Sequence, residues 1–577
     1  LTYTGAKTYT GTTTVNAGTL HMLAGSTANT SAFTLNPFGT LSGFGSIQSL
    51  VNGGTVRPGD AATIGALTIA AGGNYTQTAG GTFAPKVAGL ANRDQIIVAG
   101  GTAALNGTFS PSLLGGFIPQ VGTIIPNLIT STGALTGTFS AVYDIALVLR
   151  AEPVYNANSL DAIIRRDLTN PALGLDPAQH GVATSLTIVD NTAPTADLTT
   201  VLDAITQLTT VEAVRAAYDQ ILPHKLDQLS QAGINSTRLQ NGNLSTRMNN
   251  LRAGVYPRAE MFVDNTQMAW NFQGTHYDVV GIPSEGSQRG WFDRFDDQQQ
   301  NWGIFANGSA LFGEQDSDPV TQQTGYDFTV IGASLGLDYK VSKEFILGLA
   351  GGYNNTKTTV DNNGGSARIN TVSVGPYATC EIGDFYADAF GGYARNLYEV
   401  ERRIIFGTVD RTAKGSPDGN QVFAYLGLGY DRHIGDFITG PIVSLQYTRL
   451  WIDGYTETDA GALNLEIEKQ NADSLQNGLG WHWAYQFNVG KMIFLPNLSA
   501  TYQHEYLNDS RSIGAKVIGG SIFQTPTANP ERDFVRVGAG FSALLTDSLS
   551  VSLGYNTQVL DNGYSEQGVS GGVRVGF

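Results

Sequence analysis

The chain has 577 residues, of which only 14% are charged and 71 are glycine, and its net charge is −16. A chain this acidic lacks the basic face that phosphates require, which excludes nucleic acid as a partner. Its one cysteine, Cys380, excludes an internal disulfide framework and cysteine-based zinc sites. No run of 18 apolar residues occurs, so a transmembrane helix is excluded as well.

Residues 1 to about 150 contain only eight charged residues and are rich in Thr, Gly and Ala. Short β-forming runs alternate here with Gly or Asn, as in residues 9–20, 39–47 and 67–78. Each run is too short to have its own core, whereas stacked runs would bury a continuous interior. We therefore predict a β-solenoid, with a β-sandwich as the alternative.

Residues 151–254 regain charge and are predicted to be helical. Apolar residues recur at three- and four-residue steps from Leu202 to Leu229, and Pro223 should break or kink that helix. A second helix is predicted over residues 234–252, with polar side chains on almost all faces. Such a helix either is exposed to solvent or lies in a polar channel. Residues 255–300 are interpreted as an insertion before the next domain, without an assigned role.

Residues 301–577 are predicted to be a transmembrane β-barrel of twelve antiparallel strands. Strands beginning at Trp302 alternate apolar with small or polar residues, and the last strand runs from Val569 to Phe577. Very short connections alternate with long polar ones, as bacterial barrels require. Twelve strands leave a lumen with room for roughly one helix, and the polar helix is about 28 Å long.

Several segments resemble the monomeric autotransporters of the type V secretion family. They are the Thr-Gly-rich residues 8–20, Arg-Pro-Gly-Asp at 57–60, Leu-Asp-Gln-Leu at 226–229 and the linker end at 247–252. The terminal Phe577 is similar to the C-terminal signal that the barrel-assembly machinery of bacteria recognises. The resemblance implies an all-β-dominated fold with a right-handed β-helix stem, an α-helical linker, and a 12-stranded antiparallel transmembrane barrel with a helix in its lumen.

The resemblance also implies the function. The barrel would insert in the bacterial outer membrane, export its own N-terminal passenger and anchor it at the cell surface. The chain would then be a monomer and the C-terminal piece of a longer precursor. It would contact outer-membrane lipid and, through the passenger, a host or cell-surface ligand. The alternatives are a surface adhesin whose β-solenoid binds a partner and an open porin-type channel.

Few site residues are predicted. Arg238, Arg247 and Arg252 of the polar helix are expected to pair with acidic residues of the lumen such as Asp388 or Glu505. Asn249 and Asn250 either form a linker cleavage site, as in some autotransporters, or hydrogen-bond to the lumen. The first 150 residues contain three Asp and no Glu, without a Ser-His-Asp arrangement. We therefore expect no enzyme activity, no catalytic residues, no metal and no cofactor.

Overall fold

The computed structural model describes most of the chain in two units. The described residues are 1–252, 301–317, 325–342, 344–490, 492–527, 530–546, 549–560 and 563–576, with the backbone of strands Glu260–Asp264 and Gln267–Asn271. Side chains of residues 249, 250 and 252 lie outside this description. The units are Leu1–Asp219 with Phe406–Val409, and Gln220–Ile405 with Asp410–Phe577.

The first unit begins with nineteen strands in its described residues. They are β1 Thr2–Tyr3, β2 Thr13–Met22, β3 Thr27–Gly43, β4 Ser46–Asn52, β5 Thr55–Pro58, β6 Ala66–Ile69, β7 Tyr75–Gln77, β8 Thr82–Phe83, β9 Lys86–Val87, β10 Gln95–Val98, β11 Ala103–Leu105, β12 Thr108–Phe109, β13 Ser112–Leu113, β14 Ile124–Ser131, β15 Leu135–Gly137, β16 Ala141–Val142, β17 Asp144–Ala146, β18 Leu149–Tyr155 and β19 Ser159–Arg166. Seventeen of them form one sheet, while β9 and β13 pair separately.

The pairing in this sheet is parallel until its last strands. The β6 strand pairs with β10 and β10 with β14, while β7, β11 and β15 form a second series and β8, β12 and β16 a third. The sheet ends with the antiparallel pairs β14–β19 and β18–β19. Because side chains alternate along each strand, one apolar residue after another points inward, as Leu67, Ile96 and Ile129 do at paired positions.

Four α-helices follow: α1 Pro177–Thr192, α2 Ala196–Thr206, α3 Val211–Ile221 and α4 Gln228–Arg252. The helix predicted from Leu202 to Leu229 is thus divided, because a turn separates α2 from α3. Pro223 begins a short 3₁₀ helix, Pro223–Leu226, directly after α3 has ended. The polar helix begins at Gln228, six residues before its predicted start. None of the helices in the described residues is long and apolar enough to cross a membrane.

Twelve antiparallel strands of the second unit close into a barrel, as predicted. They are β22 Trp302–Gln315, β23 Tyr326–Lys340, β24 Phe345–Val360, β25 Gly365–Ile382, β26 Phe385–Phe406, β28 Asp418–Tyr430, β30 Phe437–Ile452, β33 Gln470–Tyr485, β35 Met492–Glu505, β38 Asp533–Thr546, β39 Leu549–Val559 and β40 Tyr564–Gly576. Each pairs with the next in this order, and β22 pairs with β40 to close the ring.

Shorter strands accompany the barrel. A hairpin precedes it, formed by β20 Glu260–Asp264 and β21 Gln267–Asn271. The others are β27 Val409–Gly415, β29 Arg432–Ile434, β31 Tyr455–Thr456, β32 Leu465–Ile467, β34 Phe487–Val489, β36 Ser512–Val517 and β37 Phe523–Pro526. Two long connections meet in a four-stranded sheet of order β31-β32-β36-β37. Short 3₁₀ helices occur at Pro171–Leu173, Asp361–Asn363 and Gly461–Leu463.

The alternation along the barrel strands separates two surfaces. On β24, Leu347, Leu349 and Tyr353 are each about half exposed, as expected of side chains that face lipid. The intervening residues are small or polar and face the lumen, and Asn354 is buried there. Tight turns join the strands at the opposite end from the long loops, and Gly383 and Gly435 adopt a φ of 63 that favours glycine.

Candidate functional site: the barrel lumen and helix α4

Helix α4 lies within the barrel, where polar side chains of the wall surround it. Asn235, Ser236, Gln240 and Asn243 of the helix are all buried although they are polar. A helix with polar residues on every face cannot pack into an apolar core, but it can be solvated by polar walls. Of the two locations predicted for this helix, solvent or a polar channel, the helix therefore occupies the polar channel, which is the lumen.

Hydrogen bonds connect α4 to several sides of the wall. Asn243 donates to Ser334 Oγ of β23 at 3.0 Å, and Asn307 of β22 donates to the Asn243 carbonyl at 3.1 Å. On β24, Asn354 donates to Ser236 Oγ at 2.9 Å. Such amide and hydroxyl contacts satisfy buried polar groups that would otherwise destabilise the folded state.

The first buried ion pair joins the middle of α4 to the last strand. Arg238 NH1 lies 2.6 Å from Glu566 Oε2 on β40, and Glu566 is only 1% exposed. The Tyr564 hydroxyl donates to the same carboxylate oxygen at 2.8 Å, and Arg536 of β38 lies 3.6 Å from its other oxygen. The Glu566 carboxylate of β40 thus contacts both α4 and β38.

The second ion pair joins the C-terminal part of α4 to β23. Arg247 donates to Asp338 Oδ2, which also accepts the Tyr377 hydroxyl at 2.9 Å. The Arg247 guanidinium lies 5.1 Å from the centre of the Phe305 ring, within the range of a cation–π contact. Arg238 and Arg247 are therefore both held, about 14 Å apart along the helix axis.

These partners differ from those expected from the sequence. Asp388 accepts a hydrogen bond from Thr379 Oγ1 at 2.7 Å, and Glu505 accepts from Ser474 Oγ at 2.6 Å. The arginines pair instead with Glu566 and Asp338. Glu566 and Asp338 occupy positions on β40 and β23 whose side chains face the lumen, and this alternation can be read from the sequence. Choosing between these acids and the other lumen-facing acids requires the register between strands, which the sequence does not give.

The side chains of the remaining predicted site residues lie outside the described part of the chain. The backbone of Asn249, Asn250 and Arg252 belongs to α4, but their side chains are not described. Phe577 also lies outside the described residues. Their roles in cleavage, in holding the helix and in barrel assembly stay predictions.

A cavity of about 390 Å³ is lined by α4 and by residues of β22, β26, β28, β30, β33, β35, β38, β39 and β40. It has room for about a dozen water molecules. Polar residues line much of it, among them Asn241 of the helix, Gln446, Gln503 and His482. Helix α4 therefore leaves a narrow polar space on one side of the lumen.

Several known proteins are similar to part of this chain. The family model described as "Autotransporter beta-domain" matches residues 304–556. The translocator domain of the autotransporter NalP from Neisseria meningitidis is 15% identical, covers 49% of this chain and 91% of its own, and has a TM-score of 0.38. The β domain of the Bordetella autotransporter BrkA is 18% identical, covers 48% and 99%, and has a TM-score of 0.37.

Three curated relatives match less than half of the chain. Esterase EstA of Pseudomonas aeruginosa is 28% identical over 267 residues, which are 44% of this chain and 40% of the esterase. Outer membrane protein A of Rickettsia conorii is 24% identical over 265 residues, or 44% and 13%. An extracellular serine protease of Serratia marcescens is 24% identical over 255 residues, or 43% and 24%. The match thus spans less than half the length of each relative.

These relatives correct one expectation. The prediction that the protein is not an enzyme is wrong, because the relatives include proteins named an esterase and an extracellular serine protease. The prediction had used only the chemistry of the first 150 residues, and a barrel sequence carries no information about the activity of a passenger.

The twelve closed strands, the apolar outer surface and the match over residues 304–556 agree with one another. The predicted outer-membrane location is confirmed by them. Residues 304–556 are therefore an autotransporter β-domain, and the protein is located in the bacterial outer membrane.

Proposed function

We propose that the barrel exports and anchors its own N-terminal passenger, and that α4 stays in the lumen as a plug. The observation that supports this most strongly is the pair of buried contacts from Arg238 and Arg247 to the wall. A helix held at two points closes most of the lumen. It also connects the barrel covalently to the residues before it.

Single-channel conductance in planar bilayers tests the plug. The intact chain should conduct weakly, and deletion of residues 234–252 should raise the conductance severalfold. The double variant Arg238→Met with Arg247→Met should show frequent openings, whereas Arg395→Met should behave as the intact chain. Arg395 is the matched control because its ion pair with Asp418 is exposed, with 44% and 47% of the side chains accessible. High conductance of the intact chain, unchanged by the deletion, would favour an open porin-type channel.

The stem is proposed to be a right-handed β-helix. Three series of strands pair in parallel with strands that come later in the chain, as β6 does with β10, β7 with β11 and β8 with β12. This pattern supports successive turns of chain that stack on one another. The stem at residues 1–150 and the linker at 151–254 precede the barrel along the chain. Assembly of the barrel through Phe577 by the barrel-assembly machinery is part of the same proposal.

An enzymatic passenger is a second proposal, supported by the names of the relatives. Cells that display the full-length protein should then hydrolyse a p-nitrophenyl ester or a labelled protein substrate. Cells that display residues 220–577 alone should not. Equal hydrolysis by both, or by neither, would oppose an enzymatic passenger and would favour the adhesin alternative.

A further inference from the structure

Arg402 of β26 is completely buried at the end of the barrel that has the long loops. It has 0% exposure and lies beyond Leu397, an outward residue of the same strand that is 47% exposed. Buried arginine requires full hydrogen bonding, since it carries five N–H donors and a charge that is never lost. Arg402 takes no part in the ion pairs that join α4 to Glu566 and Asp338.

All five donor directions of Arg402 have an acceptor. Nε donates to Glu457 Oε1 at 2.9 Å and NH2 to Glu457 Oε2 at 2.5 Å. NH2 also donates to the Leu463 carbonyl at 3.1 Å. NH1 donates to the carbonyls of Gln220 at 3.2 Å and Ile221 at 3.1 Å. We call Arg402, Glu457 and Leu463 the Arg402 site, which holds the carbonyls of Gln220 and Ile221.

The loop side of the site is itself fixed. Glu457 follows β31, is 3% exposed, and its Oε2 accepts the Leu465 amide of β32 at 3.0 Å. A bidentate pair of this kind sets the plane of the guanidinium as well as its position. Glu457 therefore holds Arg402 in one orientation, with NH1 directed at the two carbonyls.

The two carbonyls belong to the last residues of helix α3. The final carbonyls of an α-helix have no partner within the helix, and a cation near them is favourable. The chain cannot continue the helix, because Pro223 has no N–H to donate. From the other side, Lys225 Nζ donates to Gln220 Oε1 and to the Arg403 carbonyl, each at 2.9 Å.

We propose that the Arg402 site is a recognition site for the C-terminal end of a helix, and that its ligand is residues 220–225 of this chain's own linker. Occupation of the site fixes the linker at the extracellular mouth, independently of the ion pairs within the lumen. This inference rests on the proposed function, because the linker reaches the mouth by passing through the barrel. The Arg402 site would define the position at which the linker stops moving through the barrel.

Native-state hydrogen exchange of the purified full chain in detergent tests the site. Arg402→Met removes the donors and should speed exchange of amides in residues 217–227 by about tenfold or more, as loss of hydrogen bonds to a charged group implies. Amides of residues 385–397 should not change. Arg403→Met is the matched control, since Arg403 is adjacent and forms an exposed pair with Asp410 at 3.0 Å.

Equal exchange at residues 217–227 in Arg402→Met and Arg403→Met would overturn the proposal. Heat-modifiable migration in a gel shows whether each variant has folded. If Arg402→Met does not fold, Glu457→Gln provides the test, because it keeps Arg402 and removes only the charge that orients it. Faster exchange at 217–227 in Glu457→Gln supports the site, and unchanged exchange refutes it. Since exchange is measured on folded protein, this result is independent of whether the barrel exports a passenger.

Discussion

At the scale of single residues, the charges inside the barrel matter most because they are buried and therefore weakly screened. Glu566 accepts from Arg238 and Tyr564 and is almost fully buried. Removing one partner of a buried pair leaves the other charge uncompensated, at a cost of about 3–5 kcal/mol. An exposed pair contributes only about 0–1 kcal/mol.

Glu566→Gln should therefore loosen α4. We expect the variant to lose about 3 kcal/mol of stability, since Arg238 and Arg536 would share a neutral amide. The experiment measures the urea concentration at which half of the protein has lost the heat-modifiable gel migration of the folded barrel. Asp418→Asn, which breaks the exposed pair with Arg395, should change that midpoint little; equal losses in both variants would contradict the prediction.

The stability of the stem should depend on pH through Asp144. Burial, with repulsion from nearby Asp167, raises the pKa of Asp144 to about 6, although Arg150 opposes the rise. The folded state then favours the protonated acid, so the contribution of Asp144 to stability falls as the pH rises through about 6. Asp144→Asn should stabilise the stem at pH 8 by on the order of 1 kcal/mol and hardly at all at pH 4.

Urea unfolding followed by circular dichroism at both pH values measures this difference. Glu152→Gln is the control, because Glu152 is in an exposed pair with Arg165 at 3.4 Å. A stabilisation of Asp144→Asn that is the same at pH 4 and pH 8 would refute the assigned titration.

At the scale of elements, the stem depends on side chains that stack between successive strands. The ring of Phe109 lies 6.0 Å from that of Phe83 and 5.2 Å from that of Phe139. Each of these short strands buries only one or two side chains. The stability of the stem therefore comes from contacts between strands rather than from any strand alone.

Phe109→Ala should destabilise the stem by about 3–5 kcal/mol, because it removes the middle ring and leaves a cavity. Phe38→Ala is the matched control: Phe38 is also on a stem strand but is 82% exposed, and we expect almost no change. Urea unfolding monitored by circular dichroism compares the two. Similar midpoints would show that the ring stack contributes little.

Sequence patterns identified some elements better than others. Period-two alternation found the twelve barrel strands because one face meets lipid and the other meets a polar lumen. The helical pattern of residues 202–229 did not reveal the turn between α2 and α3, since apolar spacing continues across it. The partners of Arg238 and Arg247 required the register of β40 and β23, which depends on the closed ring and not on local sequence.

At the scale of the whole molecule, the chain divides into two units, and the first consists of Leu1–Asp219 with Phe406–Val409. Helix α4, the barrel strands apart from Phe406 at the end of β26, and the loop residues that hold Arg402 belong to the second unit. Its hydrogen bonds and ion pairs described above are internal to it. The barrel should therefore fold without the stem.

A chain that begins at Gln220 should give a heat-modifiable band with the same urea midpoint as the full chain, within about 1 kcal/mol. Its α4 should also remain resistant to added protease. A chain that begins at Gly254 and lacks α4 serves as the comparison, and it should be less stable. If the Gln220 chain were as unstable as that comparison, the two units would depend on each other for folding.

If the barrel exports its passenger as proposed, Glu566 and Asp338 would also affect the speed of export. A cation that moves through the lumen would meet these two carboxylates, and attraction to them would slow it. Residues 1–150 carry only eight charges, so an unfolded stem would pass with few such pauses. Under the proposed export, the scarcity of charge in residues 1–150 would make transit of the stem fast, whereas the two arginines of α4 would stay bound to these carboxylates.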